Sequence, residues 1–174
     1  WSIGGDIRSP GFEANDLGFQ RGADTMSTWG WIQYRDDQAG KALLDYRINT
    51  NAWLWSDFEP QFNGYGGNAN FSAQFKNHWR THLGLGVEHP LWDMAALRGG
   101  PSLRGDRNIN LWWSASTDER SHVIANLEFR HGRTSASGSS RSGAELGMTI
   151  QARPNVDVFL GTSADVIADD AQYV

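Results

Sequence analysis

Hydrophobic and polar residues alternate with a period of two along most of this chain. In the stretch "NANFSAQFK", residues 68–76, Phe71 and Phe75 stand among alanines at the odd positions, and polar residues fill the even positions. The alternation resumes in residues 79–88 after a break of two residues. Successive side chains of a strand point to opposite faces of the sheet. The pattern therefore predicts strands with one apolar and one polar face.

The same pattern predicts about eight or nine strands and no helix. The predicted strands lie near residues 1–7, 25–35, 43–55, 67–76, 79–88, 107–117, 121–131, 143–153 and 155–166. Most of them have about the nine to eleven residues that a tilted strand needs to cross a bilayer.

The predicted connections alternate between short and long. Long loops are expected near residues 8–24, 56–66, 89–106 and 132–142 of a single domain that spans residues 1–174. In an up-and-down meander every second connection lies at the same end, and outer-membrane barrels have short turns at one end and long loops at the other. A Greek-key sandwich does not require this asymmetry.

The central question is whether the apolar face contacts lipid or a protein core. Nine tryptophans are many for 174 residues, and tryptophan concentrates at boundaries between apolar and wet surroundings. The residues expected to form an aromatic girdle are Trp29, Trp31, Trp53, Trp55, Trp79 and Trp92. We predict an all-β, antiparallel, up-and-down transmembrane β-barrel, present here as a partial segment. The alternative is a soluble all-β sandwich that binds carbohydrate through exposed Trp53, Trp55, Trp112 or Trp113.

Composition narrows the possible partners and chemistry. The formal net charge is -5 without charged runs, which is unlike a nucleic-acid-binding surface. There is no cysteine, and no run approaches the roughly 20 apolar residues of a membrane-spanning helix. The expected partners are membrane lipid and a polar small-molecule solute or saccharide, with no nucleic acid.

A barrel would turn the polar face toward its lumen. The predicted lumen-lining residues are Asp45, Arg47, Asn49, Asn51, Gln74, Lys76, Arg80, His82, Glu128, Arg130, Glu145 and Arg153. Charges of both signs suit a lumen that passes or holds polar solutes. The alternative is that these residues only stabilise a closed barrel through salt bridges.

We predict no catalytic residue and no cofactor. None of the five histidines has a spacing typical of a zinc site, and the G-x-S-x-G motif of a nucleophilic serine is absent. Glu13, Asn15 and Asp16, together with Asp24, form a weak calcium candidate. The alternative is that these side chains bond their own backbone in turns.

The segment "SPGFEANDLGFQRGAD", residues 9–24, resembles a motif of a bacterial outer-membrane barrel domain, the domain of unknown function 5916. The resemblance continues in "RGGPSLRGDRNINLWWSASTD", residues 98–118, and in the final "DDAQYV". It implies a porin-like barrel in the outer membrane of Gram-negative bacteria, typically preceded by a family-9-like carbohydrate-binding module. That module is not in this sequence, and an odd number of strands would not close a single-chain barrel. We therefore expect a segment of a longer barrel.

Overall fold

The computed structural model describes residues 1–12, 24–38, 40–58, 62–93, 102–153 and 155–169. The strands of this part are β1 (Ser2–Arg8), β2 (Thr25–Asp36), β3 (Leu43–Ser56), β4 (Phe62–Phe75), β5 (Arg80–Pro90), β6 (Trp92–Asp93), β7 (Leu103–Arg104), β8 (Asn108–Ser116), β9 (Val123–Thr134), β10 (Ser140–Arg153) and β11 (Val156–Ala168). Within the same residues no helix has the length and apolar character needed to cross a membrane.

Nine strands form one antiparallel sheet, in which each long strand pairs with the next one along the chain. The order is β1-β2-β3-β4-β5-β8-β9-β10-β11, and β6 and β7 form a separate two-stranded sheet. The prediction of an all-β, antiparallel, up-and-down fold is confirmed. The sheet is open, because β1 and β11 are its two edges and do not pair with each other. In the described part of the chain, only the two-residue strands β6 and β7 lie outside this sheet.

Two predicted long loops are shorter than expected. Strand β4 begins at Phe62, and β9 and β10 reach Thr134 and Ser140, so the connections are reduced to residues 57–61 and 135–139. The start of β4 reads "NGYGG", and glycines carry no side chain that could reveal alternation. The segment is nevertheless a strand, because residues 64–67 pair with residues 52–55 at the end of β3, and the register shifts at Asn63.

The register separates the two faces of the sheet. One row of paired residues runs through Ile48, Phe71, Leu83, Trp113 and Phe129. This apolar face is uncovered: the exposed fraction is 44% for Leu83, 37% for Leu111 and 53% for Leu146. Ala73 is the only buried hydrophobic residue in the described ranges. The large apolar side chains therefore do not share a dry protein interior in this part of the molecule.

The polar face is concave. Asp45 of β3 and Glu128 of β9 line the same cavity, although β3 and β9 are four strand spacings apart in the sheet order. In a flat sheet this separation would be about 19 Å, from about 4.8 Å per strand. The sheet curls around its polar face, as the normal twist of strands allows.

Candidate functional site

The concave polar face collects most of the residues predicted to line a lumen. The register places these side chains on it: Asp45, Arg47, Asn49, Asn51, Gln74, Arg80, His82, Glu128, Arg130 and Glu145. The other two candidates are less clearly placed. Lys76 follows the end of β4, and Arg153 lies beside a register shift in β10.

The concave face contains two adjoining cavities of about 520 Å³ and about 270 Å³. Side chains of both charges and several hydroxyl and amide groups line the larger one: Asp45, Arg47, Ser72, Gln74, Arg80, His82, Ser114, Ser116, Asn126 and Glu128. The smaller cavity adds Trp112, Arg130 and Glu145 to this surface. Such a lining provides hydrogen-bond donors and acceptors for a polar solute.

His82 is held between two neighbours near the middle of the concave face. The indole Nε1 of Trp112 donates to Nε2 of His82 over 3.2 Å, so this ring nitrogen accepts and carries no proton. The proton of the neutral imidazole is then on Nδ1, which donates to Oγ of Ser72 over 2.7 Å. In this arrangement His82 cannot take a proton from Ser72, so the pair lacks the geometry of an activated nucleophile.

An asparagine ladder crosses β3 and β4 on the same face. The side-chain nitrogen of Asn51 donates to Oδ1 of Asn68 over 2.7 Å. Asn70 donates to Oδ1 of Asn49 over 3.0 Å and to Oδ1 of Asn68 over 2.8 Å. Each amide has two donor hydrogens and an oxygen with two lone pairs. The ladder therefore keeps hydrogen-bonding capacity for a solute in the concave face.

Four of the predicted girdle residues lie on the polar face instead of the apolar one. Trp29 pairs with Trp53, Trp31 pairs with Asn51, and Trp55 pairs with Gly64. A lipid-facing girdle needs rings on the apolar side of the sheet, so these four tryptophans do not have the required facing. The poor alternation of β2 concealed the facing of Trp29 and Trp31. Trp53 and Trp55 lie in β3, where they alternate with Ala52 and Leu54 of the apolar face. Trp79 precedes β5 and Trp92 lies in β6, and their membrane-interface role stays a prediction.

We call Trp29, Trp31, Trp53 and Trp55 the tryptophan shelf. The ring of Trp53 lies over Gly66, where an added Cβ would come within 2.6 Å of the indole. Trp29 covers Gly4 and Trp55 covers Gly64 in the same manner. Outside the shelf, the ring of Trp112 lies over Gly84. A ring that rests on glycine backbone has its other surface on the concave side. The sequence signal for this arrangement is W-x-W in β3 opposite G-x-G in β4.

Charged residues beyond the shelf form exposed pairs. Arg130 and Arg141 each lie 3.5 Å from the carboxylate of Asp165, and Arg80 binds both carboxylate oxygens of Glu119 at 3.0 Å and 2.9 Å. Exposed pairs of this kind contribute only about 0–1 kcal/mol each. The concave face is therefore electrostatically mixed, without a field of one sign.

Two carboxylates in the connections have lowered pKa values. Hydrogen bonds from Arg120 hold the pKa of Asp118 well below its usual range. Backbone N–H groups, first of Ser137 and then of Ala136, lower the pKa of Asp106. Asp106 thereby connects the turn between β9 and β10 to the segment that precedes β8 through hydrogen bonds.

Within the described ranges, no group of three or more His, Cys, Asp or Glu side chains has a metal-binding arrangement. The weak calcium candidates Glu13, Asn15 and Asp16 lie outside the described residues. Asp24 is described and directly precedes β2.

Comparison with known proteins identifies the family of the chain. No curated protein and no solved structure matches the chain. A family model matches all of residues 1–174, which include the uncovered apolar face and the lined concave face described above. The chain belongs to the family described as Domain of unknown function (DUF5916).

Proposed function

We propose that this chain forms part of a β-barrel in the outer membrane of Gram-negative bacteria, with a polar lumen that passes or binds polar solutes. Saccharides are the solute class that the lining favours, and no catalysis is part of the proposal. The observation that carries the proposal is the separation of the two faces: the apolar face is bare, and the polar face is curved and lined.

Membrane lipid is the partner that best fits the apolar face. The exposed large hydrophobics extend from Ile3 in β1 to Val166 in β11, across the whole width of the sheet. A soluble protein rarely leaves a contiguous apolar surface of this extent open to water. A spanning strand in lipid must have its backbone groups paired. The proposed barrel therefore pairs the free edges of β1 and β11 with further strands.

Saccharides are favoured because the concave face combines two kinds of groups that bind them. Sugar rings present C–H surfaces that stack on indole faces, and the tryptophan shelf offers such faces. Sugar hydroxyls need donors and acceptors, which the asparagine ladder and the cavity lining provide. Trp31 and Asn51 are directly paired across β2 and β3, so the shelf and the ladder adjoin.

The test is reconstitution of the complete protein into planar lipid bilayers. Channel current is recorded while neutral oligosaccharides are added. We expect discrete conductance and a saccharide-dependent block, with the block weakened by Trp53→Ala together with Trp55→Ala. Trp79→Ala is the matched control, because this indole lies outside the shelf. An unchanged block in the double variant would remove the saccharide assignment, and a protein that stays monodisperse in plain buffer without detergent would remove the barrel.

The soluble sandwich remains the rival, and detergent dependence separates the two. A sandwich would need a second sheet over Leu83 and Leu111, whereas the described strands beyond the main sheet are only β6 and β7. The tryptophan shelf could stack on sugars in either architecture. We favour the barrel because lipid explains the uncovered face without an additional covering element.

A further inference from the structure

Two side-chain oxygens are buried without a hydrogen-bond donor where β3 passes into β4. Asp57 follows β3 and Asn63 is the second residue of β4, and their exposed fractions are only 4% and 7%. The amide nitrogen of Asn63 donates to Oδ2 of Asp57 over 3.3 Å. Within the ranges that the structure describes, Oδ1 of Asp57 and Oδ1 of Asn63 have no hydrogen-bond partner.

A second carboxylate, that of Asp24, bonds to the residue that follows Asp57. The backbone nitrogen of Phe58, the residue after Asp57, donates to Oδ1 of Asp24 over 2.9 Å. In the described part of the chain, no Lys, Arg or His side chain lies within 4.0 Å of the carboxylates of Asp24 and Asp57. Among the described residues, the two carboxylates therefore have no ion-pair partner.

Such an arrangement is costly unless something binds it. A buried acceptor without a donor loses its hydration and gains no bond in exchange, and a buried carboxylate loses more than an amide does. Unsatisfied buried polar atoms are rare in folded proteins and call for an explanation such as an ion or a water. Two orphaned oxygens with uncompensated negative charge match the requirement of a hard cation, which binds oxygen ligands.

We propose that Asp57 and Asn63 bind a calcium ion through their two Oδ1 atoms. Water and backbone carbonyl oxygens complete its coordination shell, and Asp24 adds negative charge nearby. Oxygen-only donors disfavour zinc, which is usually bound through nitrogen or sulfur. Calcium fits better than magnesium, because it accepts irregular geometry from a connection between strands and gives up its hydration more readily.

The site is linked to the long connection between β5 and β8. The backbone oxygen of Asn63 accepts a hydrogen bond from the nitrogen of Leu91 over 2.7 Å, and the oxygen of Leu91 accepts one from the nitrogen of Gly105 over 3.1 Å. The start of that connection is thereby bonded to the strand that carries Asn63, and its end is bonded to its start. Bound calcium would stabilise this end of the sheet together with the base of the connection.

The experiment measures thermal stability of the complete protein in detergent, in EGTA and with added calcium or magnesium. At about a hundredfold excess over its dissociation constant, calcium should raise Tm by about 5 to 10 °C. Asp57→Asn should abolish the calcium shift and raise Tm in EGTA, because it removes the uncompensated charge. Asp45→Asn is the matched control, since it removes a carboxylate on the concave face and should keep the full shift.

A direct binding measurement accompanies the stability assay. Terbium replaces calcium at oxygen sites, and the ring of Trp55 lies over Gly64, next to Asn63. Terbium luminescence excited through tryptophan should rise on binding, fall when calcium is added, and be lost in Asp57→Asn. Asn63→Asp, which adds a second carboxylate, should strengthen binding even if Asp57→Asn does not fold.

Three results would overturn the proposal. The first is an unchanged Tm with calcium at about 1 mM, the range of weak calcium sites; a buried water that donates to both oxygens would then explain them. The second is a calcium shift that persists in Asp57→Asn, since it would place the ion elsewhere. The third is terbium binding that Asn63→Asp leaves unchanged.

Discussion

Leu127→Arg provides the sharpest test of what the apolar face contacts. Leu127 lies within β9, is 40% exposed, and pairs with Ala115 and Leu146 on the apolar face. If this face meets hydrocarbon, an arginine near mid-depth should destabilise the folded protein by about 2–4 kcal/mol. If the face meets water, an exposed leucine should tolerate arginine within about 0.5 kcal/mol. The two interpretations thus differ by more than the error of the measurement.

The control is the adjacent residue on the opposite face. Asn126 pairs with Ser116 and Gly147 and lines the larger cavity, so an added arginine can reach the water of the concave side. Asn126→Arg lies at nearly the same depth as Leu127→Arg and adds the same charge. Its cost should stay below about 1 kcal/mol, in the range of surface substitutions.

The assay is reversible urea unfolding from phospholipid vesicles, followed by tryptophan fluorescence. The free energy of unfolding is extrapolated linearly to zero urea for wild type and both variants. A loss of about 2–4 kcal/mol corresponds to a roughly 30- to 1,000-fold change in the folding equilibrium. The reasoning is refuted if Leu127→Arg costs no more than Asn126→Arg.

Three further predictions follow from single contacts. Gly84→Ala should lower the free energy of unfolding by about 1–3 kcal/mol and alter the near-UV circular dichroism, because a Cβ there collides with the ring of Trp112. Gly30→Ala is the control and should change both quantities little, since open space surrounds that position. Equal effects of the two substitutions would contradict the contact with Trp112. Arg120→Ala should raise the pKa of Asp118 toward its ordinary 3.8 in an NMR titration of the carboxyl carbon, since the Arg120 hydrogen bonds lower it. A carboxylate whose pKa is depressed in the folded state stabilises the fold at pH values above its unfolded pKa. The stability advantage of wild type over Arg120→Ala should therefore fade as pH falls below about 4. An unchanged titration of Asp118 in the variant would contradict the hydrogen bonds between Arg120 and Asp118. Ser72 should resist fluorophosphonate labelling, because His82 donates to its Oγ; a covalent adduct at Ser72, found by mass spectrometry, would disprove that proton assignment.

Much of the fold could be predicted from alternation alone. Strand β5 was expected at residues 79–88 and is Arg80–Pro90, and β3 was expected at 43–55 and is Leu43–Ser56. Alternation failed only at the start of β4, residues 62–66, because glycines there carry no side chain to alternate. The alternation was also ambiguous in β2, where Trp29 and Trp31 lie on the same polar face as Asn51 of β3.

The candidate site could be predicted in part. His82 and Glu128 were assigned to the polar face correctly, because facing within a strand follows from position. Their contacts could not be assigned, since the bond from Trp112 to His82 joins residues thirty positions apart. The unpartnered oxygens of Asp57 and Asn63 left no sequence signal either, because burial depends on the packing of the surrounding chain.

The sequence by itself determined that this protein is a meander of strands with one apolar and one polar face. This follows because the side-chain period of two and the turns between strands are local properties of neighbouring residues. Only the tertiary structure decided the register, the curl that brings Asp45 and Glu128 to one cavity, and the facing of the tryptophan shelf. These depend on pairing between strands and on twist accumulated over the whole sheet, which no short stretch of sequence contains.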